Sequence, residues 1–148
     1  YPIPQARFDP RKVRLEVRNL KVDPAIVERQ CTGSFTIRNV GPSYGAPVNE
    51  VGPYYVLHMH DADGKLLFRA GGSWSGGMDA RAEQAFTFDT HSNTLREAGG
   101  RVFLLPKVGA YTLKVTVHPG QVETTLDEKT VRFEVGLRPE QHTRMDGI

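Results

Sequence analysis

Residues Leu104-Leu105-Pro106-Lys107-Val108-Gly109-Ala110-Tyr111-Thr112-Leu113-Lys114-Val115-Thr116-Val117 decide how this chain is read. A turn opens into a segment in which Tyr111, Leu113, Val115 and Val117 alternate with more polar residues. A period of two is the signature of a strand with one face buried and the other solvated.

The same alternation recurs on both sides of this strand. Val13, Leu15 and Val17 alternate with Arg14, Glu16 and Arg18, and Phe35 and Ile37 alternate with Ser34, Thr36 and Arg38. Tyr54 to His60 reads as a strong strand, Asp61-Ala62-Asp63-Gly64 as a hairpin turn, and Lys65 to Arg69 as the returning strand. Gln84 to Asp89 places Phe86 and Phe88 on one face, Val102 to Leu105 reads as a short strand, and Lys129 to Val135 closes the sheet with Val131, Phe133 and Val135 inward. The stretches Gly41–Pro53, Gly71–Gly77 and Pro119–Glu128 read as loops, and His91–Gly100 as a loop or a short helical turn. No segment has a helical period, and the 15 glycines and 10 prolines are spread along the chain, so the reading is all-β.

The 148 residues are enough for one domain with a core that needs neither disulfide nor metal. The division expected is an extended Pro-rich arm over 1–12, a β-sandwich over 13–136 and a polar tail over 137–148. A formal charge of +2, with basic and acidic residues intermixed, gives no nucleic-acid footprint. No apolar run approaches the ~18 residues of a membrane-spanning helix. The sequence starts at Tyr1 rather than Met, which implies that a leader, an upstream domain or other residues preceded it.

From Val13 to Gly136 the chain resembles the immunoglobulin-like and fibronectin-III-like modules of bacteria and phages. The resemblance is carried by the Asn39-Val40-Gly41 strand end, the Asp61–Gly64 hairpin and Tyr111. In such sandwiches a Tyr near the start of strand F returns its hydroxyl to the preceding backbone, a tyrosine corner. The resemblance implies an antiparallel sandwich of about seven strands, in which strand C (Tyr54–His60) and strand F (from Tyr111) are neighbours in one sheet. Position 113 is Leu rather than Cys, and strand C carries Tyr55 and Leu57 where antibody domains bury a Trp, so an antibody-type domain is excluded. The closing strands are also similar to those of glycan-binding domains attached to bacterial polysaccharide exporters, without a motif specific enough to transfer a binding residue.

Four groups of residues are weighed as chemical candidates. His58 and His60, two apart on a strand, share a face about 6–7 Å apart, a spacing that suits one Zn or Cu ion, with His118, Asp61 or Asp63 completing the shell. The competing reading is a pair of surface histidines or a pH-sensitive contact. Trp74, the only Trp, sits among glycines and serines; it either folds over the end of the core or stacks on a sugar or protein partner, with Tyr44 and Tyr54 as companions. Cys31, the only cysteine, reads as a small buried hydrophobe rather than a nucleophile, and the Asp61–Gly64 run as turn chemistry rather than a calcium loop.

The function expected from this reading is a non-enzymatic structural or interaction module in a larger assembly. Examples are a virion decoration or tail component and a surface-layer or filament subunit, outside the cell or on its surface. Its partners would be other protein subunits, copies of itself included, bound through the arms and loops or by strand addition at an open sheet edge. A carbohydrate-binding module using Trp74 and a periplasmic Cu- or Zn-binding protein using His58 and His60 are the alternatives, and only the last requires a cofactor.

Overall fold

The Tyr111 hydroxyl donates to the Lys107 carbonyl at 2.7 Å and lies 3.2 Å from the Lys107 amide, so the expected corner is formed. Tyr111 is 1% exposed, and its ring stacks on Phe133 at 5.7 Å. The computed structural model describes residues 8–47, 51–74, 76–90 and 103–137. These form eight strands: β1 (Leu15–Val22), β2 (Ala25–Ile26), β3 (Thr32–Asn39), β4 (Tyr54–Asp61), β5 (Leu66–Ser73), β6 (Glu83–Asp89), β7 (Gly109–His118) and β8 (Asp127–Gly136). They make a three-stranded sheet, β1-β3-β6, and a five-stranded sheet, β2-β8-β7-β4-β5. All pairings are antiparallel except β2 with β8. This is an immunoglobulin-like β-sandwich, with β4 and β7 adjacent as strands C and F should be.

Alternation along each strand builds the core. Leu113, Val115 and Val117 of β7 face Phe35 and Ile37 of β3 and Val17 of β1 across the sandwich, all at most 1% exposed. On the flank where β5 and β6 end the two sheets, aromatic rings fill the gap. Phe35 meets Tyr55 edge-on at 4.9 Å and stacks on Phe86 at 5.4 Å. Two glycines make room for such rings: a Cβ on Gly33 would strike the Phe88 ring, and one on Gly72 the Tyr55 ring. Each ring lies over its own cross-strand partner.

Two buried polar side chains tie the loops to this frame. Asn39 donates from Nδ2 to the carbonyls of Pro42 and Met78 and accepts the Gly41 amide at 2.9 Å. Thr90 Oγ1 accepts the Cys31 amide at 3.0 Å and donates to the Phe103 carbonyl at 2.6 Å. Both residues are fully buried, and the hydrogen bonds offset the cost of taking these groups out of water.

The edges of the three-stranded sheet differ. The outward Val17 amide of β1 donates to the Asp127 carboxylate at 2.8 Å, and the register of β1 slips between Arg18 and Lys21, where Asn19 has φ 55°. A capped amide and a bulge both deter further pairing. The register of β6 against β3 is unbroken from Thr32↔Asp89 to Arg38↔Glu83, and no described strand lies on its other side.

Several expectations are corrected. Gly71, Gly72 and Ser73 are the end of β5 rather than a loop, because Gly72 accommodates Tyr55 while the backbone of all three pairs with β4. Residues 103–105 are not a strand; the amides of Phe103 and Leu105 bond singly to the carbonyls of Thr90 and Arg29. The parallel β2 strand was not anticipated and makes the count eight. Residues 9–12 close a turn, in which Lys12 donates to the Asp9 carbonyl, and Phe8 packs edge-on against Tyr44 at 5.7 Å, so this part of the arm is not extended. Residues 1–7, 48–50, 75, 91–102 and 138–148 lie outside the described residues, and with them the reading of His91–Gly100, the start of the Val102–Leu105 segment and nearly all of the polar tail.

Tyr111→Phe removes both contacts to Lys107 and is expected to lower unfolding stability by about 1 to 2 kcal/mol. Urea denaturation measures it; a loss near zero would mean that the corner does not hold β7.

Candidate functional site

β4 and β7 bring the three histidines to one sheet but not to one site. The register pairs Tyr54 with His118 and His58 with Lys114, so His118 lies four residues, about 13 Å, further along the sheet than His58. Both nitrogens of His118 are engaged. Thr124 offers a carbonyl to Nδ1 at 3.0 Å, so in the neutral ring Nδ1 carries the hydrogen and Nε2 accepts from the Thr116 hydroxyl at 2.8 Å. The ring also stacks on Tyr54 at 4.8 Å. The expected set of His58, His60 and His118 is therefore not assembled, and no group of three His, Cys, Asp or Glu suited to a metal occurs among the described residues.

His58 and His60 do share the outer face of the five-stranded sheet. His58 is flanked by Arg69 of β5 and Lys114 of β7, its register partners on either side. Burial, and then these two cations, hold its pKa below the usual imidazole range. The His58 Nδ1 atom is covered and has no hydrogen-bond partner.

Trp74 and Tyr44 meet each other rather than solvent. The Trp74 indole donates to the Tyr44 hydroxyl at 3.3 Å, and its ring packs against Phe86 at 5.4 Å. Trp74 is 9% exposed and Tyr44 6%. Tyr44 is fixed in turn by a bridge in which its amide and carbonyl bond to those of Met78. Of the three aromatic candidates only Tyr54 remains partly open, and His118 covers one side of its ring.

Cys31 is 1% exposed, and burial pushes its thiol up to about 12. The Asp61 carboxylate accepts the amides of Lys65 and Asp63, each at 2.9 Å, and these bonds lower its pKa, that to Lys65 most. This is the turn chemistry expected of the hairpin.

Sequence periodicity missed what lies at the sheet edges. A cleft of about 400 Å³ opens beside β6, lined by Gly33, Tyr55, Leu57, Ala70, Gly71 and Phe88 among others. Backbone alternation completes the picture. Thr90 and Ala82 direct their backbone groups toward β3, so Glu83, Ala85 and Thr87 direct theirs outward, where no described residue pairs with them.

No family model and no curated protein matches the sequence. Among solved structures, the chain is similar to the C-terminal domain of wzt, with 11% identity over 89% of this chain and 82% of that one and a TM-score of 0.55. It is similar to part of a Bacteroides uniformis beta-glucuronidase, with 18% identity over 82% of this chain but 13% of that one and a TM-score of 0.50. The CARDB domain of the PF1109 protein from Pyrococcus furiosus is 16% identical over 85% of this chain and 94% of that one, with a TM-score of 0.49. These likenesses are of fold. The chain is an immunoglobulin-like β-sandwich domain.

Two measurements follow from the buried positions. Emission of Trp74 is expected toward the blue, resistant to acrylamide and unmoved by glycans; strong quenching in the native state would contradict its burial. Cys31 should react with a thiol reagent at mildly alkaline pH only on unfolding. Because its folded pKa is raised, unfolding above the ordinary thiol pKa releases a proton, so stability should fall as pH climbs toward 12. A Cys31→Ala variant with the same alkaline decline would exclude the thiol as its cause.

Proposed function

We propose that this domain is a non-enzymatic interaction module of a larger assembly that binds an extended segment of a partner protein along the outer edge of β6. The reading rests on one observation: Glu83, Ala85 and Thr87 present backbone groups that no described residue pairs with, along a regular seven-residue edge strand. Such an edge is a template for strand addition, in which main-chain hydrogen bonds supply affinity. Alternate side chains of the added strand would turn toward the cleft beside Phe88, where Gly33, Ala70 and Gly71 leave space. That space supplies the selectivity the backbone bonds lack.

The other edges are poorer templates. β1 is capped by Asp127 and bulged at Asn19, and β2 has two residues. β5 ends in Gly71-Gly72-Ser73, which deprives an incoming strand of cross-strand side chains. The expected setting is a virion, surface-layer or filament subunit, and the partner is a protein chain, a second copy included. The glycan alternative loses Trp74 and Tyr44 as a stacking platform, since both are buried. The metal alternative loses His118, whose two ring nitrogens are occupied.

Thr87→Pro tests the proposal. Its amide points away from β3, so the ladder keeps its bonds and the melting temperature should change little, while an added strand loses a donor and meets the ring. Extended peptides selected on the domain should slow amide exchange at Glu83, Ala85 and Thr87 and bind Thr87→Pro at least tenfold more weakly. Selected peptides that protect other amides, or bind the folded variant equally well, would refute it.

A further inference from the structure

We infer that the outer face of the five-stranded sheet holds a second binding site, for an oxyanion seated over His58 between Arg69 and Lys114. The register places these three residues in one row across β5, β4 and β7. Neighbouring strands are ~4.8 Å apart, so Arg69 and Lys114 start about 10 Å from each other, close enough for their long side chains to converge above the imidazole between them. A guanidinium offers a planar fork of donors and an ammonium three rotatable ones, a complement suited to carboxylate, phosphate or sulfate.

The charge of this row is not balanced within the domain. β4, β5 and β7 place no carboxylate on this face, and β8 contributes Glu128 and Glu134. Glu128 reaches Lys114 at 3.4 Å from the side away from His58. Arg69 has no carboxylate within ion-pair distance among the described residues, nor does Arg132, one strand further on in the row of His60 and Thr112. Arg69 and Lys114 repel across the intervening β4, and an anion between them would reverse the sign of that interaction. The exposed Arg69, with no carboxylate partner among the described residues, and the covered, partnerless Nδ1 of His58 in the same row are independent marks of a position built for a ligand. The depressed proton affinity of His58 agrees, since the field of Lys114 and Arg69 contributes to it.

This face is distinct from the edge of β6, which belongs to the other sheet, so the two proposals stand or fall separately. The test is an NMR titration of the full chain with sodium phosphate and, separately, sodium acetate, at ionic strength held constant with sodium chloride. Saturable shifts centred on Arg69, His58 and Lys114 with phosphate identify a phosphate- or sulfate-type ligand; the same shifts with acetate alone identify a carboxylate. Arg69→Gln should weaken binding at least fivefold while leaving the melting temperature without ligand unchanged or slightly raised, because it relieves repulsion. Glu128→Gln should tighten binding, because it frees Lys114. Shifts spread evenly over the basic residues, no saturation with either salt, or equal affinity in folded Arg69→Gln would overturn the site.

Discussion

The bond from the Tyr111 hydroxyl to the Lys107 carbonyl sets where β7 begins, and most of the sandwich is built outward from β7. That strand pairs with β4 on one side and β8 on the other. Its residues Leu113, Val115 and Val117 occupy the middle of the core, and a slip of one residue would turn them to solvent and bring Thr112, Lys114 and Thr116 inward. A local anchor four residues away thus fixes a register that fixes the rest. Asn39 and Thr90 do the corresponding work at the ends of β3, where they satisfy loop carbonyls and amides that the ladder cannot reach.

What could be read in the sequence is what depends on neighbouring residues. The alternation through Tyr111 to Val117, Phe35 to Ile37 and Phe86 to Phe88 marks strands because it is a local property. The two-residue β2 has no period to detect, and its partner lies more than a hundred residues away. Glycines at 71 and 72 suggested a flexible loop because glycine is permissive on its own; in the fold Gly72 is required by the ring of Tyr55, which sequence order does not bring close.

The candidate residues divide along the same line. Whether Trp74 faces solvent or core is decided by Tyr44, thirty residues earlier, which accepts its indole hydrogen. Whether His118 joins His58 is decided by the β4–β7 register, which places it opposite Tyr54 instead. The pairing of His58 and His60 on one face was legible, but the flanking Arg69 and Lys114 came into view only with the sheet order. Surfaces of this domain are therefore composed from three or four strands at once, and single-strand patterns name at most one member of each.

The capped amide of Val17 limits what the three-stranded sheet can become. A sheet with two receptive edges can be extended at both and so behaves as a monomer for fibre growth. Here Asp127 and the bulge at Asn19 close one side, and β6 is the edge that no described residue covers. On the proposed reading this sheet would have a valence of one: it could end a chain of strands but not continue it. Any assembly built through β6 is terminated there in a fixed stoichiometry, and longer order must come from another part of the molecule.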